Sequence, residues 1–460
     1  MTPASPTPIG LTPDSLTVFA PQGMLGYGIP ERSMRLGMER RPDVLAVDAG
    51  SIDPGPHYLG AGTSFTNRRS VAKDLEMILD AAHAQRIPVL IGSAGGAGGD
   101  AHLDWLIEIY REICRERGYR FRTARISAEL DRDWLRRRLA DGAISPLDHD
   151  IALMPGHLDR ATRIVGQMGY EPFMRAIESG AEVVIAGRAF DPAMMGAHAL
   201  LRGFDRGLTV HMGKLLECGG AAAYPRHGSD GLLATLHRDS FTVEPPNPDK
   251  VCTVASVAAH SLYERANPYH MEFPGGAIDL HATRFEQESE RVVRISGTRY
   301  VAAQHYTIKL EGVECVGYRT IAIAGVRDPI LIAHFDDYVA NIRSRVAERY
   351  PDGYTLNIHS YGRNGVMGPI EAARAEPPFE IGLVFEVIAD DPDTSAAVLA
   401  LTRSAALHVT YPGRKAIAGN LAFPFSPSDI PVGPVYEFTI HHLVKTEDPC
   451  SPFAMDLFTP

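Results

Sequence analysis

Side chains that can exchange protons are concentrated between residues 48 and 57. Asp48, Asp53 and His57 lie there among prolines and glycines, which favour a fixed loop shape. Carboxyl and imidazole groups on such a loop are suited to proton transfer, because that chemistry needs donors and acceptors within hydrogen-bond reach. Carboxylate oxygens are also ligands that a divalent metal ion prefers. The alternative, equally weighted, is that Asp48 caps a turn and His57 is a surface residue.

A glycine-rich turn, residues 92–99, follows an apolar run and precedes a stretch with helical spacing. Glycines allow close approach of a ligand to the backbone, and a helix start offers free N–H groups to phosphate, carboxylate or the pyrophosphate of coenzyme A. The turn lacks the lysine of a P-loop and the register of a dinucleotide-binding loop. Anion binding is favoured over a ligand-free turn, with Asp100 as the expected helix N-cap. The predicted anion-binding residues are Ser93, Gly95, Gly96, Gly98 and Gly99.

Three further sites carry polar side chains that suit an anionic substrate. Arg188 ends an apolar run and can hold a carboxylate through two hydrogen bonds, whereas Asp191, followed by Pro192, is typical of a helix start. His211, Lys214 and Cys218 share one face if residues 210–223 are helical, so that Lys214 can neutralise an anion. Cys218 is a candidate nucleophile, although a small buried residue is the favoured interpretation. Asn420 adds a possible polar contact.

The elements that must position these residues alternate in type along the first half of the chain. Short apolar runs at 16–20, 44–47, 89–91, 121–126 and 183–186 each end in a turn of small residues, as buried strands do. Residues 71–83 and 103–113 have the spacing of amphipathic helices. The pattern predicts an α/β fold with a mostly parallel sheet and helices on both faces, which places the turns at one sheet edge, where ligands bind.

The pattern of apolar residues in the second half of the chain predicts an α+β part. Strands are expected at 251–258, 292–296, 306–310, 319–324 and 381–388, and helices at 334–350 and 393–408. The predicted domains are therefore 1–245, with the glycine-rich loop, and 250–460, joined by the proline-rich segment 245–248.

Composition excludes several classes of protein. A net charge of −11 argues against a nucleic-acid partner, and no apolar run approaches the length of a membrane span. The five cysteines are scattered without a C-x-x-C pair, which argues against a disulfide framework and a zinc site. Together with an N-terminus unlike a secretory signal, this predicts a cytoplasmic protein.

As a set, seven segments resemble the acyclic terpene utilisation protein AtuA family, although each alone is a weak signal. They are residues 25–33 (LGYGIPERS), 47–60 (VDAGSIDPGPHYLG), 91–105 (IGSAGGAGGDAHLDW), 185–193 (IAGRAFDPA), 211–219 (HMGKLLECG), 361–368 (YGRNGVMG) and 418–433 (AGNLAFPFSPSDIPVG). The resemblance implies a catabolic setting, since the best-known member is linked to acyclic terpene breakdown through branched acyl-CoA thioesters. It also implies a small partner protein, and it supplies no catalytic residues.

The leading hypothesis is a lyase, such as a hydratase or dehydratase, or an isomerase acting on a small di- or tricarboxylic acid or a branched acyl-CoA. The glycine-rich loop and Arg188 would bind anionic groups, and Asp48, Asp53 and His57 would exchange the proton next to a carbonyl. Arg188, Lys214 or a divalent metal ion would stabilise the enolate. The alternatives are a phosphate- or nucleotide-dependent ligase or kinase and a non-catalytic ligand-binding subunit. A homo-oligomer is expected.

Overall fold

The computed structural model describes residues 14–147, 151–226, 230–372, 376–417 and 419–460. The chain folds into two units, of which one comprises the residues up to Glu314 together with Phe438–Pro460, and the other comprises Cys315–Glu437. These bounds differ from the predicted domains 1–245 and 250–460. The reason is that strands on both sides of the proline-rich segment 245–248 join one sheet, so this segment lies inside the first unit.

The strands of the described residues are β1 (Leu16–Ala20), β2 (Val44–Asp48), β3 (Val89–Gly92), β4 (Thr123–Ile126), β5 (Ile144–Pro146), β6 (Arg163–Gln167), β7 (Val183–Ala186), β8 (Ala223–Tyr224), β9 (Leu232–Leu236), β10 (Ser240–Glu244), β11 (Val251–Cys252), β12 (His270–Phe273), β13 (Gly276–Asp279), β14 (Arg284–Gln287), β15 (Val293–Ser296), β16 (Arg299–Ala302), β17 (Thr307–Val326), β18 (Tyr354–Tyr361), β19 (Ile381–Ala389), β20 (Asp429–Lys445) and β21 (Met455–Phe458).

The α-helices of the same residues are α1 (Glu31–Glu39), α2 (Pro56–Ala61), α3 (Arg68–Gln85), α4 (Asp100–Arg117), α5 (Arg132–Ala140), α6 (Pro155–Arg160), α7 (Glu171–Glu178), α8 (Ala193–Leu201), α9 (Arg206–Leu216), α10 (Val254–Leu262), α11 (Pro329–Ala333), α12 (Phe335–Arg349) and α13 (Pro392–His408). Short 3₁₀ turns cover Gly219–Ala222 and Gly368–Ile370.

The main sheet of the first unit is parallel at its centre. Strands β1, β2, β3, β7 and β4 are neighbours in that order, and each adjacent pair is parallel. Antiparallel strands extend this sheet on both sides, with β9, β10, β15 and β14 beyond β1 and β21 beyond β4. The predicted mostly parallel sheet is confirmed, and the turns that follow its central strands lie at one edge.

Alternate side chains of the central strands enter two separate cores. In β2, Val44 and Ala46 belong to one buried cluster, whereas Leu45 and Val47 belong to the other. The first cluster contains apolar residues of α7, α8 and α9, and the second contains those of α3 and α4. Helices therefore cover both faces of the sheet, which explains why its strands read as continuous apolar runs.

The second unit is built on antiparallel strands. The second half of β17, from Tyr318, pairs with β19, which in turn pairs with β18 along its length. The helices α12 and α13 contribute to the apolar cluster of this unit together with β19. The predicted α+β character of the C-terminal part is confirmed by these elements.

The prediction of a strand over 251–258 was wrong beyond its first residues. Strand β11 ends at Cys252, and α10 begins at Val254. The Thr253 side chain accepts a hydrogen bond from the backbone of Ser256, and the Ser256 side chain accepts one from the backbone of Thr253. This reciprocal cap satisfies the free N–H groups of a helix start, and it outweighs the strand preference of the surrounding valines.

Candidate functional site

The turns that follow the central strands are joined by backbone hydrogen bonds. Leu25 donates to the carbonyl of Asp48, and Ala49 donates to that of Gly92, each over 2.9 Å. Ser93 donates to the carbonyl of Gly187 over 2.9 Å. The turns after β1, β2, β3 and β7 therefore form one continuous rim at the carboxyl edge of the sheet, as right-handed crossovers require.

The glycine-rich loop is buried within this rim. Every residue from Gly92 to Gly99 is buried. A Cβ atom on Gly98 would lie 2.2 Å from the Arg188 backbone nitrogen, and one on Gly50 would lie 2.2 Å from the Gly96 Cα. The glycines are thus required because the protein's own backbones approach one another here, which was the less favoured interpretation of their sequence.

The start of α4 beyond this loop is occupied by a protein carboxylate. The Asp100 backbone N–H donates to Glu129 Oε2 over 3.0 Å, and Arg163 forms an ion pair with the same oxygen. The helix N-cap is Gly99, so the prediction of Asp100 at this position was wrong by one residue. The Asp100 side chain instead accepts a hydrogen bond from Ser127 over 2.6 Å. The favourable anion position at the helix start is therefore filled by Glu129.

Arg188 is buried and engaged with protein oxygens. Its Nε donates to Glu311 over 2.8 Å, and its Nη1 donates to Asp191 over 3.1 Å and to Ser93 over 3.3 Å. Glu311 is fully buried and also pairs with Lys309. Burial acts to raise the pKa of Glu311, but Arg188 and Lys309 outweigh it and hold that pKa below its ordinary value. Arg188 thus positions Asp191 at the rim.

A cavity of about 740 Å³ opens beside this rim. The turns after β1, β2 and β7, the end of α9 and the end of α10 all contribute residues to its wall. The acidic residues that line it are Asp48, Asp53, Asp191, Glu217, Asp230 and Glu264. Of the predicted catalytic residues, Asp48, Asp53 and Cys218 line this cavity.

A group of acidic side chains in the cavity wall has perturbed acidity. Burial raises the pKa of Asp48 well above its ordinary value, and the negative charge of Asp191 raises it further. Burial also raises the pKa of Glu217, to about 8, against the attraction of Lys214. Burial raises the pKa of the partly exposed Asp191 as well, although Arg188 opposes that rise. Glu217 can therefore hold a proton at neutral pH, whereas Arg188 favours an ionised Asp191.

Lys214 is buried behind this acidic group. Its Nζ donates to Glu217 and lies 3.5 Å from Glu264 Oε2. The same atom stands over the ring of Tyr263, 4.9 Å from its centre. Burial acts to lower the pKa of Lys214, but the charge of an ionised Glu217, together with the hydrogen bond to it, outweighs burial and raises that pKa. Lys214 thus acts on the cavity through Glu217.

Cys218 and His211 are both electrically neutral. The Cys218 sulfur lies 3.0 Å from the Tyr263 hydroxyl, and burial, followed by the charge of Glu217, raises the pKa of its thiol to about 12. His211 is fully buried between Thr298 and Ser261, and burial lowers its pKa to about 3. Helix α9 ends at Leu216, so His211 and Lys214 lie on it and Cys218 lies beyond its end. The favoured interpretation of Cys218 as a small unreactive residue agrees with this geometry.

The remaining predicted residues lie elsewhere. His57 is exposed on α2 and is not among the residues that line the cavity. Asn420 belongs to the second unit, where its amide and the Tyr411 hydroxyl are hydrogen-bonded over 3.0 Å. Within the described ranges, no cluster of three or more histidine, cysteine, aspartate or glutamate side chains is arranged to hold a metal ion.

Several residues of the cavity were not found by sequence reasoning. Glu217 lies between Lys214 and Cys218, and it differs from most other glutamates in being buried, which the sequence does not show. Lys250 and Asp230 are buried and form an ion pair over 3.6 Å. Asp230 follows a segment without regular patterning, and Lys250 follows the supposed linker, so neither carried a signal that could have found it.

The fold and the cavity define an α/β protein with an acidic pocket at the carboxyl ends of parallel strands. The family model of the acyclic terpene utilisation family protein AtuA matches residues 62–227 and 235–425. The chain belongs to this family. No curated protein and no solved structure matches it. Across the part of the chain that is described, no helix has both the length and the apolar character needed to span a membrane.

Proposed function

We propose that the protein is an enzyme that transfers a proton next to a carbonyl group of a small organic acid or a branched acyl-CoA, as a lyase or an isomerase. The observation that carries this proposal is Glu217, a buried carboxyl group in the cavity wall whose pKa is raised to about 8 by burial. A carboxylic acid that stays neutral at pH 7 can donate a hydrogen bond to a developing enolate. Perturbed acidity in a cavity is typical of catalytic groups.

The cavity offers one acid and one base with different environments. Glu217, protonated at neutral pH, donates to the substrate carbonyl oxygen, and Asp191, ion-paired with Arg188, removes the proton from the adjacent carbon. The C–H electrons then form the carbon–carbon double bond of the enol. In an isomerase the proton returns to carbon, whereas in a dehydratase the double bond forms towards the next carbon and hydroxide leaves with a proton as water.

Isotope exchange tests this proposal without knowledge of the product. The protein is incubated in D₂O with small di- and tricarboxylic acids and branched acyl-CoA thioesters, and loss of the proton next to the carbonyl is followed by NMR. We expect exchange in at least one substrate. The Glu217→Gln variant should slow it by about 10²- to 10⁴-fold, the usual contribution of a general acid.

A matched control is Glu272→Gln, because Glu272 is exposed and outside the cavity wall. It should exchange at the rate of the unaltered protein. Equal rates in Glu217→Gln and the unaltered protein would contradict the proposal. Binding of an organic acid without any exchange would instead favour a non-catalytic ligand-binding subunit.

The ligase or kinase alternative depended on an accessible glycine-rich loop. That loop is buried and the helix start after it holds Glu129, so its support is weakened. A catabolic role, a cytoplasmic location, a small partner protein and a homo-oligomer are part of the same proposal. Of these, the catabolic role is supported by the family, whose description refers to acyclic terpene utilisation.

A further inference from the structure

An arginine next to the cavity wall, Arg265, has no partner for its charge among the described residues. The Nε, Nη1 and Nη2 atoms of Arg265 are each buried and without a hydrogen bond, and no acidic side chain of the described residues forms an ion pair with them. Burial therefore lowers the pKa of this guanidinium, although Glu217 and Tyr263 oppose the change. Arg188, by contrast, is surrounded by accepting oxygens.

An unpaired buried cation is costly to the folded protein. Removing a charged group from water without supplying hydrogen bonds destabilises the fold, so such groups are normally paired. When a protein retains one, an anion that binds from outside can compensate for that cost. The geometry therefore points to an anionic ligand at Arg265.

Arg265 directly follows Tyr263 and Glu264, two residues that line the same cavity as Glu217. Burial lowers the pKa of His260 to about 4, with smaller contributions from the charges of Lys214, Arg226 and Arg265, and His260, Tyr263 and Glu217 all line the cavity. The His260 ring stacks on Tyr263 with 4.6 Å between ring centres, and His260 Nε2 is also buried and without a hydrogen bond. His260 and Arg265 thus both carry buried nitrogen atoms without a hydrogen-bond partner among the described residues.

Two lysines near this cavity, Lys214 and Lys250, are already paired with protein carboxylates. Lys214 donates to Glu217 and also lies within ion-pair distance of Glu264. Lys250 forms an ion pair with Asp230. These cations cannot accept a substrate anion without losing a protein partner, whereas Arg265 and His260 lose nothing.

We propose that Arg265 and His260 bind a carboxylate of the substrate beside Glu217. This inference rests on the proposed function, because it assigns the anionic end of the same substrate. The planar guanidinium donates two parallel hydrogen bonds to a carboxylate, and His260 donates a third from Nε2. A bound carboxylate adds negative charge near Glu217 and so favours its protonated form, which is the form that acts as the acid.

Binding measurements test this assignment in the full chain without requiring turnover. The probes are succinate and isovalerate, their neutral amides succinamide and isovaleramide, and inorganic phosphate. They are compared in the unaltered protein, Arg265→Gln and the control Arg284→Gln, which changes an exposed arginine of β14. Calorimetry gives the dissociation constant, and thermal unfolding gives the melting temperature with and without each probe.

We expect at least one acid to bind and to raise the melting temperature, and its amide to bind at least about tenfold more weakly. Arg265→Gln should weaken binding of that acid by at least about tenfold, while Arg284→Gln should not change it. Without a probe, Arg265→Gln should melt at the same or a higher temperature, because it removes an unpaired buried charge.

Equal binding of acid and amide, retained binding in Arg265→Gln, or a preference for phosphate over every carboxylate would each overturn the assignment. So would the absence of binding of either acid. If Arg265→Gln does not fold, NMR titration of His260 in the unaltered protein decides the question, since a bound carboxylate must raise the pKa of that imidazole. Acid binding that depends on Arg265, without isotope exchange, would reject the proposed reaction and keep the anion site.

Discussion

Two turns rich in small residues have opposite surroundings in this protein. The loop from Gly92 to Gly99 is buried, and its glycines face other parts of the backbone, such as Arg188. The turn from Glu217 to Gly220 also contains glycines packed against neighbouring backbone, but Glu217, Cys218 and Gly220 line the cavity. The first turn holds the rim together, whereas the second contributes side chains to the wall of the cavity.

Glycine in a turn indicates close packing around the backbone but not the kind of neighbour. A glycine marks a place where something approaches the backbone closely. In the glycine-rich loop that neighbour is the chain itself, since a Cβ atom on Gly96 would lie 2.7 Å from the Phe65 ring. Glycine content therefore located the rim of the sheet correctly, but it did not separate the structural turn from the one that lines the cavity.

The largest expected effect is on the structural turn. Gly98→Ala places a methyl group 2.2 Å from the Arg188 backbone nitrogen at a φ of +70°. Steric overlap and backbone strain together should lower the free energy of unfolding by about 4 kcal/mol, measured by urea denaturation. Gly118→Ala is the matched control, since Gly118 has a φ of +72° with nothing within 4 Å, and it should cost only about 1 kcal/mol. Equal losses of unfolding free energy in Gly98→Ala and Gly118→Ala would show that steric overlap with Arg188 is not the cause.

The second prediction concerns the pH dependence of stability, which Glu217 in the turn from Glu217 to Gly220 should control. Because the pKa of Glu217 is raised to about 8 in the folded protein, the folded state holds a proton that the unfolded state releases from about pH 4 upwards. Stability should fall as pH rises through this window to about 8, by up to about 1.4 kcal/mol per pH unit.

Glu217→Gln should flatten this slope, because a neutral amide does not titrate. Denaturation at several pH values between 5 and 8 measures it. At pH 5 the variant and the unaltered protein should be equally stable, since Gln resembles the protonated acid in shape and charge. An unchanged slope in Glu217→Gln would show that the Glu217 carboxyl group titrates normally. That result would contradict the proposal that Glu217 acts as the general acid.

The smallest expected effect concerns Cys218. Its pKa is raised to about 12 by burial and by Glu217, so its thiolate is scarce at pH 8. Mass spectrometry after iodoacetamide treatment should show Cys218 modified at least about 100-fold more slowly than the exposed Cys315. Faster modification of Cys218 would identify a reactive thiol and revive the nucleophile hypothesis.

Much of the fold was predictable because its signals are local. The strands at Leu16–Ala20 and Val183–Ala186 have the bounds that their apolar runs predict, and the helical spacing of residues 103–113 lies inside α4. Placing Asp48 in the rim followed from parallel topology alone. Glu217 could not be found in this way, because its acidity depends on burial and on Asp191 and Lys214, which meet it only in the folded chain.

The order of residues determined which segments become strands and helices, since apolar spacing and caps act over a few residues. Motifs spread along the chain also identify the family to which the protein belongs. The folded chain alone decided that Glu129 occupies a helix start, that Glu311 holds Arg188, and that Arg265 has no counter-charge within the described ranges. Each of these depends on electrostatic contact or burial between residues distant in sequence, whose energy varies steeply with distance and local dielectric.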